Sequence, residues 1–243
     1  LAKLWTADSN KAGSGALFGQ GSHSMMVADV DGDNAQEILY GAAMIQSDGS
    51  FGCSTGYGHG DALHVGDLDP TRPGIEVFMP HEDKSKPSWD LRDAKTCEVL
   101  HVSTVTGVDN GRGVADDISA ASPGAEFWSA ADGDLRSALT GNSVGTKPSM
   151  MNFLIYWDAD ESRELLDGTL INKGDGSRLL TAPGVMSDNY SKATPTLTAD
   201  LFGDWREEVI WRAPDSSYLR VFTTTAVTSR RMYTLMHDPQ YRM

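Results

Sequence analysis

Asp29-Val30-Asp31-Gly32-Asp33-Asn34-Ala35-Gln36-Glu37-Ile38 sets three carboxylates on alternate residues, places a glycine among them and closes with a glutamate ahead of an apolar run. Carboxylates are hard oxygen donors of the kind Ca²⁺ takes, and a glycine lets the backbone curl around an ion. The pattern returns in eroded form as Asp67-Leu68-Asp69 with Glu76, Asp117 with Glu126, Asp158-Ala159-Asp160 with Glu164, and Asp200-Leu201-Phe202-Gly203-Asp204 with Glu208. Ile, Val, Phe or Leu follows each glutamate, and the steps between the glutamates are 39, 50, 38 and 44 residues. A period of about 40 with one strand-like core per unit predicts a repeat array of the propeller kind.

The loop has two calcium-binding parsings. An EF-hand needs a loop of about twelve residues between two helices. Only nine residues run from Asp29 to Glu37, and Ile38-Leu39-Tyr40 reads as a strand, so a calcium loop between β-strands is the reading that survives. The alternative, aspartates that only shape turns, suits one copy better than five. Candidate metal ligands are therefore Asp29, Asp31, Asp33 and Glu37; Asp67, Asp69 and Glu76; Asp117; Asp158, Asp160 and Glu164; and Asp200, Asp204 and Glu208.

Strand-like runs fill the rest of the chain: Glu37–Tyr40, Ala62–Val65, Ile75–Met79, Leu154–Trp157, Glu208–Trp211, Leu219–Thr225 and Met232–Leu235. Turn residues separate them, with 25 Gly and 10 Pro in all. The one helical candidate is Ala159 to Leu170, where Glu164-Leu165-Leu166 also fits the start of a strand. An all-β fold follows, one partial propeller over residues 1–243 with no internal boundary. Five units leave two apolar faces exposed unless they close a ring or meet further blades, and the chain reads as cut at both ends. Leu1-Ala2-Lys3-Leu4-Trp5 reads as a strand rather than a leader.

The 243 residues carry a formal charge of −14, from 34 acidic and 20 basic side chains. That balance argues against nucleic acid or an anionic membrane as partner and accords with bound divalent cations. No apolar run reaches the roughly 18 residues of a membrane span. Cys53 and Cys97 fit one disulfide or two free thiols, and their spacing does not decide between them.

Five segments carry more polar groups than core strands need: Gly21-Ser22-His23-Ser24, Gly58-His59-Gly60-Asp61-Ala62-Leu63-His64, His81-Glu82-Asp83-Lys84, Gly111-Arg112-Gly113-Val114-Ala115-Asp116-Asp117 and Asn189-Tyr190-Ser191-Lys192-Ala193-Thr194-Pro195. Four of them adjoin an acidic loop, which predicts that they gather with the loops at one mouth of the propeller. Taken singly, His23, His59 and His81 also fit buried structural histidines. No zinc spacing, serine-hydrolase elbow or P-loop occurs.

Gly58 to Asp69, His81-Glu82-Asp83-Lys84, Asp204-Trp205-Arg206-Glu207-Glu208-Val209 and Tyr233-Thr234-Leu235-Met236-His237-Asp238-Pro239 resemble the family 11 polysaccharide lyases, rhamnogalacturonan lyases of pectin-degrading bacteria, and the likeness runs across the whole chain. The resemblance implies an eight-bladed β-propeller with bound Ca²⁺, here represented by about five blades of a secreted monomer. It implies β-elimination at the rhamnose–galacturonate bond of the pectic polysaccharide rhamnogalacturonan I. By position it marks Lys192 as the base and Arg112 as the partner of the uronate carboxylate or the leaving oxygen, two roles open to exchange. It places His23, His59, Asn189, Tyr190 and Ser191 at the substrate and counts His81 and Glu82 with the metal ligands. Tyr190 and Ser191 depart from the glycine and threonine common in the family. Two other readings compete: a non-catalytic, calcium-stabilised carbohydrate-binding propeller, and an inactive fragment.

Overall fold

Each of the five glutamates is the first residue of the second strand of its own sheet. The computed structural model describes residues 2–232, 234–237 and 241. The first sheet runs β1 (Met26–Ala28), β2 (Glu37–Tyr40), β3 (Ala43–Ile45), β4 (Phe51–Ser54), and the second β5 (His64–Gly66), β6 (Glu76–Pro80), β7 (Trp89–Asp93), β8 (Val99–Val102). The third runs β9 (Gly113–Asp116), β10 (Glu126–Ser129), β11 (Asp134–Ser137), β12 (Ser143–Thr146), and the fourth β13 (Phe153–Ile155), β14 (Glu164–Asp167), β15 (Leu170–Asn172), β16 (Arg178–Thr181). The fifth has three strands, β17 (Leu197–Ala199), β18 (Glu208–Arg212) and β19 (Leu219–Phe222). All five are antiparallel meanders in which sequence neighbours pair.

The acidic loops are the connections from first to second strand. In every one, the buried glutamate turns Oε2 back to the loop and accepts backbone N–H bonds: from Val30 to Glu37 at 3.1 Å, Leu68 to Glu76 at 3.0 Å, Ile118 to Glu126 at 3.2 Å, Trp157 to Glu164 at 2.8 Å and Leu201 to Glu208 at 2.9 Å. A carboxylate is needed there because the loop amides lack ladder partners, and an unsatisfied buried amide costs about 1–3 kcal/mol.

Apolar residues line both faces of the sheets, so β6 is buried at all five positions. Met26, Leu39 and Met44 of the first sheet pack with Val65, Val77 and Met79 of the second. Phe78 and Leu91 meet Ala115 and Phe127; Val114 and Trp128 meet Leu154 and Leu165; Ile155 and Leu166 meet Val209 and Trp211. Each sheet thus stacks on the next in chain order, and every large side chain so buried contributes roughly 1.5–3 kcal/mol. Arg163, just before β14, joins three sheets. Its Nε lies 2.7 Å from Asp116 Oδ2, its Nη1 lies 3.6 Å from Glu207 Oε2, and its guanidinium stacks over Tyr156 at 4.2 Å.

Several expectations are corrected. Residues 159–170 form no helix; Gly168 turns the chain with φ of 59° between β14 and β15. Residues 2–7 form no strand, and Leu1 lies outside the described residues. Leu235–His237 is a 3-10 turn and Met232 is in no strand; Tyr233, Asp238 and Pro239 of the quoted motif lie outside the described residues. The cysteines are paired: Cys53 on β4 is bonded to Cys97 in the β7–β8 turn, stapling the first sheet to the second.

The staple closes a chain separation of 44 residues, so reducing it should lower unfolding free energy by about 2–4 kcal/mol, readable as a shifted denaturant midpoint. A second expectation concerns His64, whose Nε2 faces the Gly113 carbonyl at 3.2 Å. Burial, aided by the Arg163 charge and opposed by that hydrogen bond, lowers its pKa to about 4. The fold therefore holds neutral His64, and its contribution is present above the ordinary value near 6.5 and lost as pH falls from there to about 4. Urea titrations across this window should show a loss of stability that His64→Gln reduces; an identical pH profile in the variant would exclude His64 as its source.

Candidate active site and acidic loops

The polar segments converge at the end of the first strands opposite the acidic loops. His23 precedes β1, His59 and Asp61 precede β5, Glu82 follows β6, Arg112 precedes β9, and Lys192 ends the 3-10 turn Tyr190–Lys192 ahead of β17. Backbone bonds stitch these segments together: His23 N–H to Gly60 O at 3.1 Å, Glu82 N–H to His59 O at 2.9 Å, and Asn110 N–H to His81 O at 3.2 Å. The expectation that the segments share a mouth with the acidic loops is therefore corrected. The loops follow the first strands and the cluster precedes them, and a three-residue strand between the two spans by itself roughly 10 Å at about 3.3 Å per residue.

Asp61 is the hub. Its Oδ2 accepts from Lys192 Nζ at 2.7 Å and from Arg112 Nη1 at 3.4 Å, while Oδ1 lies 3.5 Å from His23 Nε2. The His23 and His59 rings meet edge to face, 4.9 Å between centroids. His59 Nδ1 lies 2.6 Å from the Gly21 carbonyl. Only a protonated Nδ1 donates to a carbonyl, so the neutral ring turns the lone pair of Nε2 toward Glu82 Oε2, 3.6 Å away. Two acceptors facing each other call for a proton or a cation between them. A Cβ at Gly111 would lie 2.7 Å from Glu82 Oε1 and 3.0 Å from Asp61 Oδ2, so glycine is what lets the two carboxylates close over this backbone.

Residues 188–194 hold Lys192 on a strained loop. Asn189, Tyr190 and Ala193 have φ of 59°, 47° and 50°, unusual for side-chain-bearing residues. The loop is closed by paired backbone bonds between Asp188 and Thr194, and Asp188 Oδ1 accepts from Arg212 Nε at 2.5 Å. The Tyr190 ring is fully exposed. A shallow depression of about 610 Å³, lined by Met150, Thr169, Val185 and Met186 among others, lies apart from the cluster and contains none of its residues.

His81 lies outside the cluster. It is fully buried, with Nε2 2.5 Å from Asp90 Oδ1; Arg92 Nη1 reaches the same carboxylate at 2.9 Å and Arg92 Nη2 bonds the Gly41 carbonyl of the first sheet. This trio ties two sheets together. Asp61 was quoted in Gly-His-Gly-Asp without a role; nothing in the local sequence distinguishes it from the other 33 carboxylates, and only the fold brings Lys192 to it across 131 residues.

The acidic loops differ in their fitness for a cation. Asp29, Asp31 and Asp33 gather carboxylate oxygens within 4.8 Å of one another, and no lysine or arginine among the described residues pairs with them. Asp29 Oδ1 accepts from Gly32 N at 2.7 Å and Oδ2 from Asn34 N at 2.9 Å. Slight burial raises its pKa, but these amide bonds outweigh that and hold it below the usual carboxylate value. The fifth loop repeats the geometry, with Asp200 accepting from Gly203, Asp204 and Trp205, while Asp204 is paired with Arg206. In the second, Asp69 Oδ1 accepts from Thr71 Oγ1 at 2.6 Å, burial raises Asp67 and Glu76, and Arg72 Nε stands 3.9 Å from Glu76 Oε1. In the third, burial raises Asp117 and Glu126, and Ser122 donates to Glu126 Oε1. The fourth groups Asp158, Asp160 and Glu164 around the ammonium of Lys173. There burial pushes Glu164 up to about 7 despite the lysine bond.

The chain belongs to the family described as "Rhamnogalacturonan lyase family 11, C-terminal domain", which matches residues 1–243. It is 53% identical over 250 residues to rhamnogalacturonan endolyase YesW of Bacillus subtilis and 49% identical over 264 residues to rhamnogalacturonan exolyase YesX of the same organism. All of the chain is covered in both, but only 40% and 43% of those relatives. The solved structure of Bacillus licheniformis rhamnogalacturonan lyase PL11 is 53% identical and superposes with a TM-score of 0.94, covering 99% of this chain and 42% of that one.

Proposed function

We propose that the protein carrying this chain is a rhamnogalacturonan lyase that cleaves the rhamnose–galacturonate bond of rhamnogalacturonan I by β-elimination. The observation that carries this reading is the convergence of Lys192 and Arg112 on one oxygen of Asp61, beside His23, His59 and Glu82. A purely structural array has no use for two cations and two imidazoles gathered from four separate sheets. Family membership and the lyase relatives support the same reaction.

The C5 proton of a galacturonate is weakly acidic, and its removal builds negative charge on the adjacent carboxylate. The C5–H electrons form the C4–C5 double bond as the C4–O4 bond breaks and its electron pair leaves with O4, which then takes up a proton. Lys192 Nζ is the group we assign to the C5 proton. Asp61 fixes its position, the strained 188–194 loop fixes the approach of its stem, and the lysine takes the C5 proton as the free amine. Arg112 supplies a guanidinium for the uronate carboxylate. Asn189, Tyr190 and Ser191 lie beside Lys192 and form the sugar-contacting edge.

The donor set fits a divalent cation: a metal-binding histidine almost always donates its second ring N–H to a carbonyl or carboxylate, and His59 does so to Gly21. His23, His59, Asp61 and Glu82 would hold it, and Ca²⁺ bound there would supply Lewis-acid stabilisation of the charge developing on the uronate. The Asp29–Asp33 loop, at the other end of β1, would hold a structural Ca²⁺.

The five stacked meanders are read as successive blades of an eight-bladed β-propeller, with the apolar face-to-face packing in chain order as the support. The disulfide supports a secreted protein, since such bonds persist in oxidising compartments. A charge of −14 disfavours nucleic acid as a partner, no helix among the described residues is long and apolar enough to cross a membrane, and the protein is taken to act as a monomer.

With rhamnogalacturonan I as substrate, ultraviolet absorbance of the unsaturated uronate should rise, and a calcium chelator should abolish the rise. Lys192→Ala should lower the rate by about 100-fold or more with bound calcium unchanged; retained turnover would remove Lys192 from the mechanism. Gly111→Ala should fold normally, because the added methyl meets movable carboxylate ends, yet lose about 10- to 100-fold in rate as Asp61 and Glu82 are displaced. Wild-type turnover in that variant would show that their spacing is irrelevant.

A further inference from the structure

The residue that faces each loop glutamate across the second and third strands differs from sheet to sheet. Register pairs Glu76 with Asp93 and Glu126 with Ser137. One step beyond the pairs Ile38–Ile45, Leu165–Asn172 and Val209–Phe222, it sets Gln46 opposite Glu37, Lys173 opposite Glu164 and Thr223 opposite Glu208. Four sheets thus offer an amide, a carboxylate or a hydroxyl there. The fourth offers an ammonium.

Lys173 Nζ lies 2.5 Å from Asp158 Oδ2, 2.6 Å from Asp160 Oδ2 and 3.0 Å from Glu164 Oε1. An ammonium has three N–H donors and no acceptor, and here each donor has one carboxylate oxygen. These are the same three residues whose oxygens gather within 4.8 Å of one another in the pattern of a cation site. A calcium ion would need those oxygens at about 2.3–2.6 Å, which is the place the nitrogen holds. The two positive centres cannot both occupy it.

We infer that Lys173 is the built-in cation of the fourth acidic loop, so that this loop takes no divalent ion and closes independently of calcium. The contrast with the first loop is direct, because Asp29, Asp31 and Asp33 have the same clustering and no lysine or arginine paired with them among the described residues. Arg72 in the second loop is a looser version, 3.9 Å from Glu76 and 3.7 Å from Asp93. Asp158, Asp160 and Glu164 read as a calcium loop along the chain; Lys173 stands nine residues beyond Glu164, and only strand register shows that it faces the loop.

The inference rests on the reading of the acidic loops as cation sites, and the experiment separates the two. Bound calcium per chain would be counted after chelation and repletion of the full-length protein and three variants. Asp31→Asn should bind one ion fewer than wild type; no change there would overturn the reading of the first loop while leaving Lys173 to be judged by the other two. Asp160→Asn should leave the count unchanged, and a loss of one ion would show that the fourth loop already holds calcium, overturning the inference. Lys173→Ser should gain one ion, and its melting temperature in chelator should fall by about 5 °C or more and recover with calcium. An unchanged count in Lys173→Ser would also overturn the inference, since an emptied loop would then take no ion either.

Discussion

In every sheet a carboxylate is buried where the acidic loop re-enters the second strand. Burying an ionised glutamate costs several kcal/mol, and nothing in an apolar strand offsets that. Here Oε2 of each of the five glutamates accepts one or two loop amides, so the cost of the charge is set against the cost of amides that would otherwise be orphaned. The tie fixes the loop, the loop fixes the register of first and second strands, and that register places the apolar side chains on both faces. Five separate sheets can then stack through Met26, Phe78, Trp128 and Trp211 and their neighbours.

With one end of each first strand committed to the glutamate tie, the other end is free to carry chemistry. His23, Asp61, Arg112 and Lys192 all sit there, ahead of β1, β5, β9 and β17. The separation keeps the acidic loops and the Asp61 cluster from sharing carboxylates. His59, His23, Asp61 and Glu82 gather there, with the His59 Nδ1 held against the Gly21 carbonyl. Asp61 then has two duties, orienting Lys192 through Oδ2 and facing His23 through Oδ1.

Much of this was legible in the chain, and the misses have physical causes. The glutamates could be found because each ends a polar loop and begins an apolar strand, two opposite requirements met at one residue. Residues 159–170 looked helical because Leu165, Leu166 and Leu170 fit either periodicity; the turn at Gly168 and pairing with β13 and β16 decided for strands. Glu82, Lys192 and Arg112 could be singled out from their motifs. Asp61 could not, since its meaning lies in contacts to residues far away in the chain. The partner of His81 is hidden in the same way: Asp90, with Arg92 on the same carboxylate, lies on the next strand and outside the motif that carries the histidine.

The repeat, the all-β class, the positions of the five glutamates and the family can be read along the chain, because they follow from local pattern: period, alternation and turn chemistry. Which end of the strands bears the polar cluster, the pairing of Cys53 with Cys97, the sharing of Asp61 by Lys192 and Arg112, and the place of Lys173 in the fourth loop all come from the folded arrangement. Those outcomes depend on which side chains the strand register and sheet stacking bring within about 3 Å. A linear pattern carries charge and spacing along the chain, while an ion pair or a disulfide is selected by distance across it.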